Sequence, residues 1–182
     1  MSINFFPNFC LWLLLVTFPK FVFSQSTDFT VQDVKFESQG IILAGSILTP
    51  KKPFAAVIIV HGSDPVKREM EFAKRLAKEG IAVFTYDKRG VGESGGVYAG
   101  PSVGTNNIDT TNLNLLAHDA SLAVNTFRNY LKDKKTPIGL VGFSQAGWII
   151  PIAASKNPLI EFMVLFSCPT ITTLEQIGRA HV

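Results

Sequence analysis

Apolar and polar positions along the chain change their period in a regular order. Residues 30–37 and 41–49 read as two strands around Ser38-Gln39-Gly40, a hairpin-like turn. Residues 50–53 then lead into FAAVIIV at 54–60, an unbroken apolar run of the kind found in strands buried on both faces. Val66, Met70, Ala73 and Ala77 follow at helical spacing with Lys, Arg and Glu between them, which predicts an amphipathic helix stopped by Gly80. A second buried strand spans 81–86 (IAVFTY), and the Gly-rich, weakly hydrophobic stretch 88–112 reads as a long loop. Leu116, Ala120, Ala123, Val124, Phe127 and Leu131 form the apolar stripe of a second helix. PIGLVGF at 137–143 is a third buried strand, 145–155 a third helix that Pro151 should kink, and FMVLF at 162–166 a fourth buried strand. Strands that alternate with helices and are apolar throughout predict an α/β architecture. Its sheet is mostly parallel, has six strands in all and carries helices on both faces. The chain has no internal repeat and no low-complexity tract.

The first residues follow another rule. FCLWLLLV at 9–16 is an apolar run that Pro19-Lys20 interrupts before it reaches the roughly 20 residues needed to cross a bilayer. Ending at Val22-Phe23-Ser24, it reads as a signal peptide over 1–24, with Gln25 opening the mature chain. The segment ahead of the apolar run lacks Lys and Arg, which departs from that pattern and keeps an uncleaved N-terminal membrane anchor as the alternative. The expectation is a secreted or periplasmic protein with no membrane span after cleavage. The residues before Cys10 do not form a lipidation signal, and loss of 1–24 leaves Cys168 as the only thiol, with no internal disulfide.

Composition narrows the class. The chain has 182 residues, and 47% hydrophobic against 17% charged residues supports a packed core and excludes intrinsic disorder. A net charge of +3, from 17 Lys and Arg against 14 Asp and Glu with no basic block, gives no nucleic-acid footprint.

The chemistry gathers where strands meet turns. Gly142-Phe143-Ser144-Gln145-Ala146-Gly147 lies between the third buried strand and the third helix. A Ser on a tight strand-to-helix turn holds its hydroxyl at the carboxyl edge of the sheet, and small residues at 142 and 146 let the two backbones approach. Taken alone, the segment could equally be a Ser that N-caps a helix. Two more segments sit at the ends of neighbouring strands: His61-Gly62-Ser63-Asp64-Pro65, and Asp87-Lys88-Arg89-Gly90-Val91-Gly92-Glu93-Ser94-Gly95-Gly96.

Together the three ordered motifs resemble the α/β-hydrolase fold, and within it the serine aminopeptidase-like and esterase branch, over about 31–175. The resemblance implies Ser144 as nucleophile, with the backbone amides of Gln145 and Ser63 as the oxyanion hole. Asp64 takes the place of Ser63 if the loop is shifted by one. It assigns His61 and Gly62 to shaping their turn, Asp87 and Arg89 to bracing the loop after their strand, and Gly142 and Ala146 to the close packing of the elbow. Phe143 and Ala146 depart from the His and Gly that family members often carry, which alters the pocket wall. The implied substrate is a small-molecule ester or a peptide, with no cofactor and no metal. Acyl transfer on the same chemistry, or a non-catalytic hydrolase-like binding protein, are the other readings.

Several residues invite different readings. Gly90, Gly92 and Gly95 match a dinucleotide fingerprint, but 97–107 shows no helical stripe to follow it. His118-Asp119 reads as the surface start of a helix, Cys168 as a buried small hydrophobe, and Glu161 as the opening of the last strand. The family places its triad acid and His after the nucleophile, and here only Glu161, Glu175 and His181 follow Ser144. Glu175 and His181 are too close together for the intervening strands and helix, so neither triad partner is identified in this chain. Ile177-Gly178-Arg179-Ala180-His181-Val182 is what ATC GGA AGA GCA CAC GTC encodes, a string resembling a sequencing-adapter oligonucleotide. The expectation is a partial α/β-hydrolase domain over 25–176 with about six of eight strands, followed by a non-native 177–182. Such a chain exposes a sheet edge, is poorly stable, and does not hydrolyse p-nitrophenyl acetate through Ser144.

Overall fold

The computed structural model describes residues 29–98 and 110–168, so the leader assigned to 1–24 and the tail at 177–182 lie outside the described residues. Six strands, β1 (Phe29–Ser38), β2 (Ile41–Pro50), β3 (Ala55–Val60), β4 (Ile81–Tyr86), β5 (Ile138–Phe143) and β6 (Phe162–Phe166), form one sheet in the order β1-β2-β4-β3-β5-β6. β1 and β2 are the hairpin and run antiparallel to each other and to β4, while β4, β3, β5 and β6 are parallel. Three helices complete the fold: α1 (Met70–Lys78), α2 (Thr110–Tyr130) and α3 (Ala146–Lys156).

The apolar runs build two cores because successive side chains of a strand point to opposite faces. Val57 and Ile59 of β3 join Val83 and Val141 under Ala73 and Ala77 of α1. Ala56, Ile58 and Val60 face the other way, with Phe84 and Leu140, under the stripe of α2 and the buried side of α3. Helices thus cover both faces, as the alternation predicts.

The differences from the sequence reading are local. Phe54 stands outside β3 and is 66% exposed, its ring lying against Gly80. Helix α1 begins at Met70, so Val66 is not in it. Residues 66–69 instead run along the loop after β4, where Lys88 donates its amide to the Val66 carbonyl and Glu69 donates its own to the Thr85 hydroxyl. Helix α2 begins at Thr110, so its first three residues fall inside the expected loop. Helix α3 includes Pro151, as expected from the sequence, on its solvent-exposed side. β6 is not buried on both faces: Met163, Val164, Leu165 and Phe166 are all exposed, because among the described residues it pairs with β5 alone. No helix among the described residues is long and apolar enough to cross a membrane.

Candidate active site

Ser144 stands at the carboxyl end of β5 with φ of +54°, a left-handed conformation that an L-residue rarely adopts. The residue is exposed, and α3 begins at Ala146, directly after Gln145, whose side chain makes no cap bond. Its carbonyl accepts from the first turn of the helix, but no hydrogen bond from its hydroxyl to that turn is found among the described residues. The turn is held by backbone bonds on both sides. Ser144 donates its amide to the Phe166 carbonyl of β6 (3.3 Å), and Gly147 donates to the Ser144 carbonyl (2.9 Å). The requirement for a small residue at 142 is visible directly: a Cβ there would lie 2.4 Å from the Ala146 Cβ and 2.8 Å from the Val60 carbonyl oxygen. Phe143 packs between Phe72 of α1 and Phe166 of β6, with centroids at 5.7 and 5.1 Å.

The loop after β3 lies against this elbow. A Cβ on Gly62 would approach the Ser144 Cβ to 3.6 Å and the Phe143 carbonyl to 3.5 Å. His61 turns inward, is 3% exposed, and packs edge-on against Tyr86. Burial, helped by the charge of Lys88, pulls its pKa down to about 3, so it is neutral and its Nε2 has no hydrogen-bond partner. A small cavity of about 10 Å³ lies beside it, lined also by Val60, Tyr86, Lys88, Leu116 and Ile149. His61 is a buried residue of the turn, packed on Tyr86.

The loop after β4 is a braced platform. The Asp87 carboxylate accepts from the Arg68 amide (2.8 Å), the Arg68 guanidinium and the Glu93 amide (2.9 Å). Burial opposes its ionisation, but these bonds prevail and hold its pKa below the usual carboxylate value. Arg68 also pairs with Asp33 and Glu93. Gly92 (φ +58°) is required here, since a Cβ would meet the Asp87 Oδ2 at 2.6 Å. Arg89 forms a buried pair with Asp119 (Nε to Oδ2 2.9 Å) and donates to the Ser38 carbonyl. Asp119 is thus a buried residue well inside α2, not a surface helix start as the sequence suggests, while its neighbour His118 is exposed. The three glycines at 90, 92 and 95 close a turn through the bond from the Gly90 amide to the Gly95 carbonyl, and no helix opens on them through residue 98.

Sequence reasoning passed over Lys88. It is 3% exposed, and its ammonium donates to the Gly62 carbonyl (2.6 Å), the Ser63 carbonyl (3.2 Å) and the Gln145 Oε1 (3.2 Å). Tyr98 donates its hydroxyl to the same Ser63 carbonyl (2.7 Å). A lysine in a loop reads as a solvated charge, and only the packing of three strand ends reveals otherwise. Cys168 is half-buried, not fully buried, with its thiol 3.8 Å from the Gly142 carbonyl and its pKa raised by burial.

Among the described residues no histidine or carboxylate is hydrogen-bonded to the Ser144 hydroxyl. Glu161 sits at the far edge of the sheet: its Oε1 accepts from the Ile138 amide (3.2 Å) at the start of β5, about 20 Å along the strand from Ser144. Glu175 and His181 lie outside the described residues. A cavity of about 590 Å³ lined by Phe29, Pro50, Pro53 and Leu131 opens at that far edge too, away from the elbow.

A mixed sheet covered on both faces, with a strained Ser on a strand-to-helix turn at its carboxyl edge, is an α/β-hydrolase fold. The family model described as serine aminopeptidase, S33, matches residues 51–180, and the chain belongs to that family of serine-type hydrolases. Similar solved structures include the α/β-hydrolase GrgF from Penicillium sp. sh18, at 21% identity over 76% of this chain and 46% of that one, with a TM-score of 0.61. The Pyrococcus furiosus esterase Pf2001 matches at 26% identity over 78% of this chain and 51% of that one (TM-score 0.59). A cold-adapted esterase from an Arctic intertidal metagenomic library matches at 20% identity over 83% and 66% (TM-score 0.60). The chain spans about half the length of the first two. A search of curated proteins found no significant relative.

Proposed function

We propose that this chain carries the nucleophile half of an exported serine esterase, with Ser144 attacking the carbonyl carbon of a small ester. The observation that carries the reading is the left-handed backbone at Ser144 on an exposed, small-residue turn, a strained geometry that nothing in helix capping requires. In the reaction the Ser144 Oγ–C bond forms as the hydroxyl proton departs to a base, and the carbonyl oxygen takes the negative charge. That charge meets the amides of Gln145 and of Ser63 or Asp64. Collapse of the intermediate breaks the bond to the alcohol, which takes up the proton, and water then releases the acid from the acyl-enzyme.

Among the described residues no base and no orienting acid is gathered at Ser144, so the 182-residue chain is expected to acylate slowly and not to turn over. Fold-level similarity to esterases favours esters, and the family description favours peptides with a free amino end as the second reading. Incubation with p-nitrophenyl acetate, an acid quench and peptide mapping test the proposal: an acetyl group on Ser144, absent from Ser144→Ala, is the expected result. Sustained Ser144-dependent turnover contradicts the missing base, and acetyl groups spread over other residues with none on Ser144 contradict the nucleophile assignment.

A further inference from the structure

We propose that Lys88 is a positioning residue that sets the oxyanion hole, because one buried ammonium ties the loop after β3 to the residue that follows Ser144. The inference rests on the reading of Ser144 as nucleophile and adds a residue that the motifs do not assign. The geometry is that of the peptide unit. All peptide bonds among the described residues are trans, so the carbonyl and the N–H of each unit point in opposite directions. Lys88 holds the Gly62 carbonyl, which turns the Ser63 N–H away from the ammonium. Lys88 and Tyr98 hold the Ser63 carbonyl, which does the same for the Asp64 N–H. A Cβ on Gly62 of that loop would lie in van der Waals range of Ser144. The third bond of the same ammonium, to the Gln145 side chain, fixes this loop relative to the elbow. Both candidate donors after β3, Ser63 and Asp64, are thus oriented by one clamp, together with the residue that would supply the second amide.

The clamp has a pH limit. Burial pulls the Lys88 pKa down to about 8, with the Asp64 charge opposing the fall. His61 on the loop after β3 is neutral, Tyr86 on β4 and Tyr98 are pushed above their usual values, Asp87 is held below its own, and the Cys168 thiol near the elbow is pushed up. Arg89 is engaged by Asp119. Above pH 8 the folded chain gives up the Lys88 proton before the unfolded chain does, near 10.5, so this group's contribution to stability rises with pH while the clamp weakens. Loosening of the loop is therefore distinguishable from unfolding.

Amide NMR spectra of the 182-residue chain between pH 6.5 and 9.5 test the proposal without requiring catalysis. The Ser63, Asp64 and Gln145 amides should shift together with a midpoint near 8, matched by the Lys88 side-chain ¹³Cε resonance. Lys88→Met should abolish that midpoint, and Lys88→Arg, which stays charged throughout, should hold the low-pH positions. Amides that do not move, or that keep the same midpoint in Lys88→Met, overturn the clamp. If neither variant folds, the wild-type comparison decides it: a Lys88 ¹³Cε midpoint that differs from that of the amides is equally fatal. A failed clamp with Ser144 still acetylated leaves the serine-hydrolase reading standing, and a silent Ser144 with a titrating clamp removes that reading alone.

Discussion

β5 and β6 are neighbours in register, Gly139 beside Phe162 through Phe143 beside Phe166, and they occupy different environments. β5 has a partner strand on each side and is buried along all but its last residue; β6 has one partner among the described residues and is exposed along four of five residues. Similar apolar sequences, GLVGF and FMVLF, thus meet opposite fates, and composition cannot distinguish them. What does is position in the sheet. The strained turn ends the strand that is locked from both sides, where surrounding structure can hold a left-handed Ser. β6 still contributes, since its Phe166 carbonyl accepts the Ser144 amide.

Substitutions can break this contrast. The largest effect is expected at the crowded end of β5. Gly142→Val would drive side-chain atoms into the Val60 carbonyl and the Ala146 Cβ, neither able to yield, and should abolish cooperative unfolding measured by circular dichroism. Next comes acid. The unfolded chain takes up a proton on His61 near its ordinary 6.5, whereas the folded chain resists until about 3, so stability should fall as pH drops through that window. The loss attributable to His61 is on the order of 4 kcal/mol, and urea titrations of wild type against His61→Leu across pH 7 to 4 would measure it. A pH dependence unchanged in His61→Leu contradicts the buried, neutral assignment.

Smaller still is the direct pairing of the two environments. Ile58→Ala in β3, fully buried, should cost about 3 kcal/mol in denaturant midpoint analysis. Leu165→Ala on β6, 40% exposed, should cost less than about 1 kcal/mol. Equal losses would show that β6 is covered as thoroughly as β3.

Much of this was legible in the sequence, for identifiable reasons. The runs at 54–60, 81–86 and 137–143 are apolar on both faces, and a strand that needs no solvent face announces itself. The strained Ser was signalled by small residues at 142 and 146, whose spacing matters only if two backbones nearly touch. Local pattern failed where tertiary contacts decide. Val66 continues a helical spacing, yet the chain there is drawn onto the loop after β4 through the bonds to Asp87 and Val66. Lys88 and Asp119 are charges that pattern assigns to the surface. Both are buried, because Gly62, Ser63 and Gln145 in one case and Arg89 in the other come from distant parts of the chain to meet them.

The most direct test of Ser144 as an elbow nucleophile is covalent labelling with a fluorophosphonate, followed by peptide mapping over time. An oxyanion hole without a complete triad still accelerates hydrolysis by roughly a thousandfold over the uncatalysed reaction in water. The account therefore predicts slow modification confined to Ser144 and lost in Ser144→Ala. Modification of other serines or tyrosines at the same rate as Ser144 would contradict it.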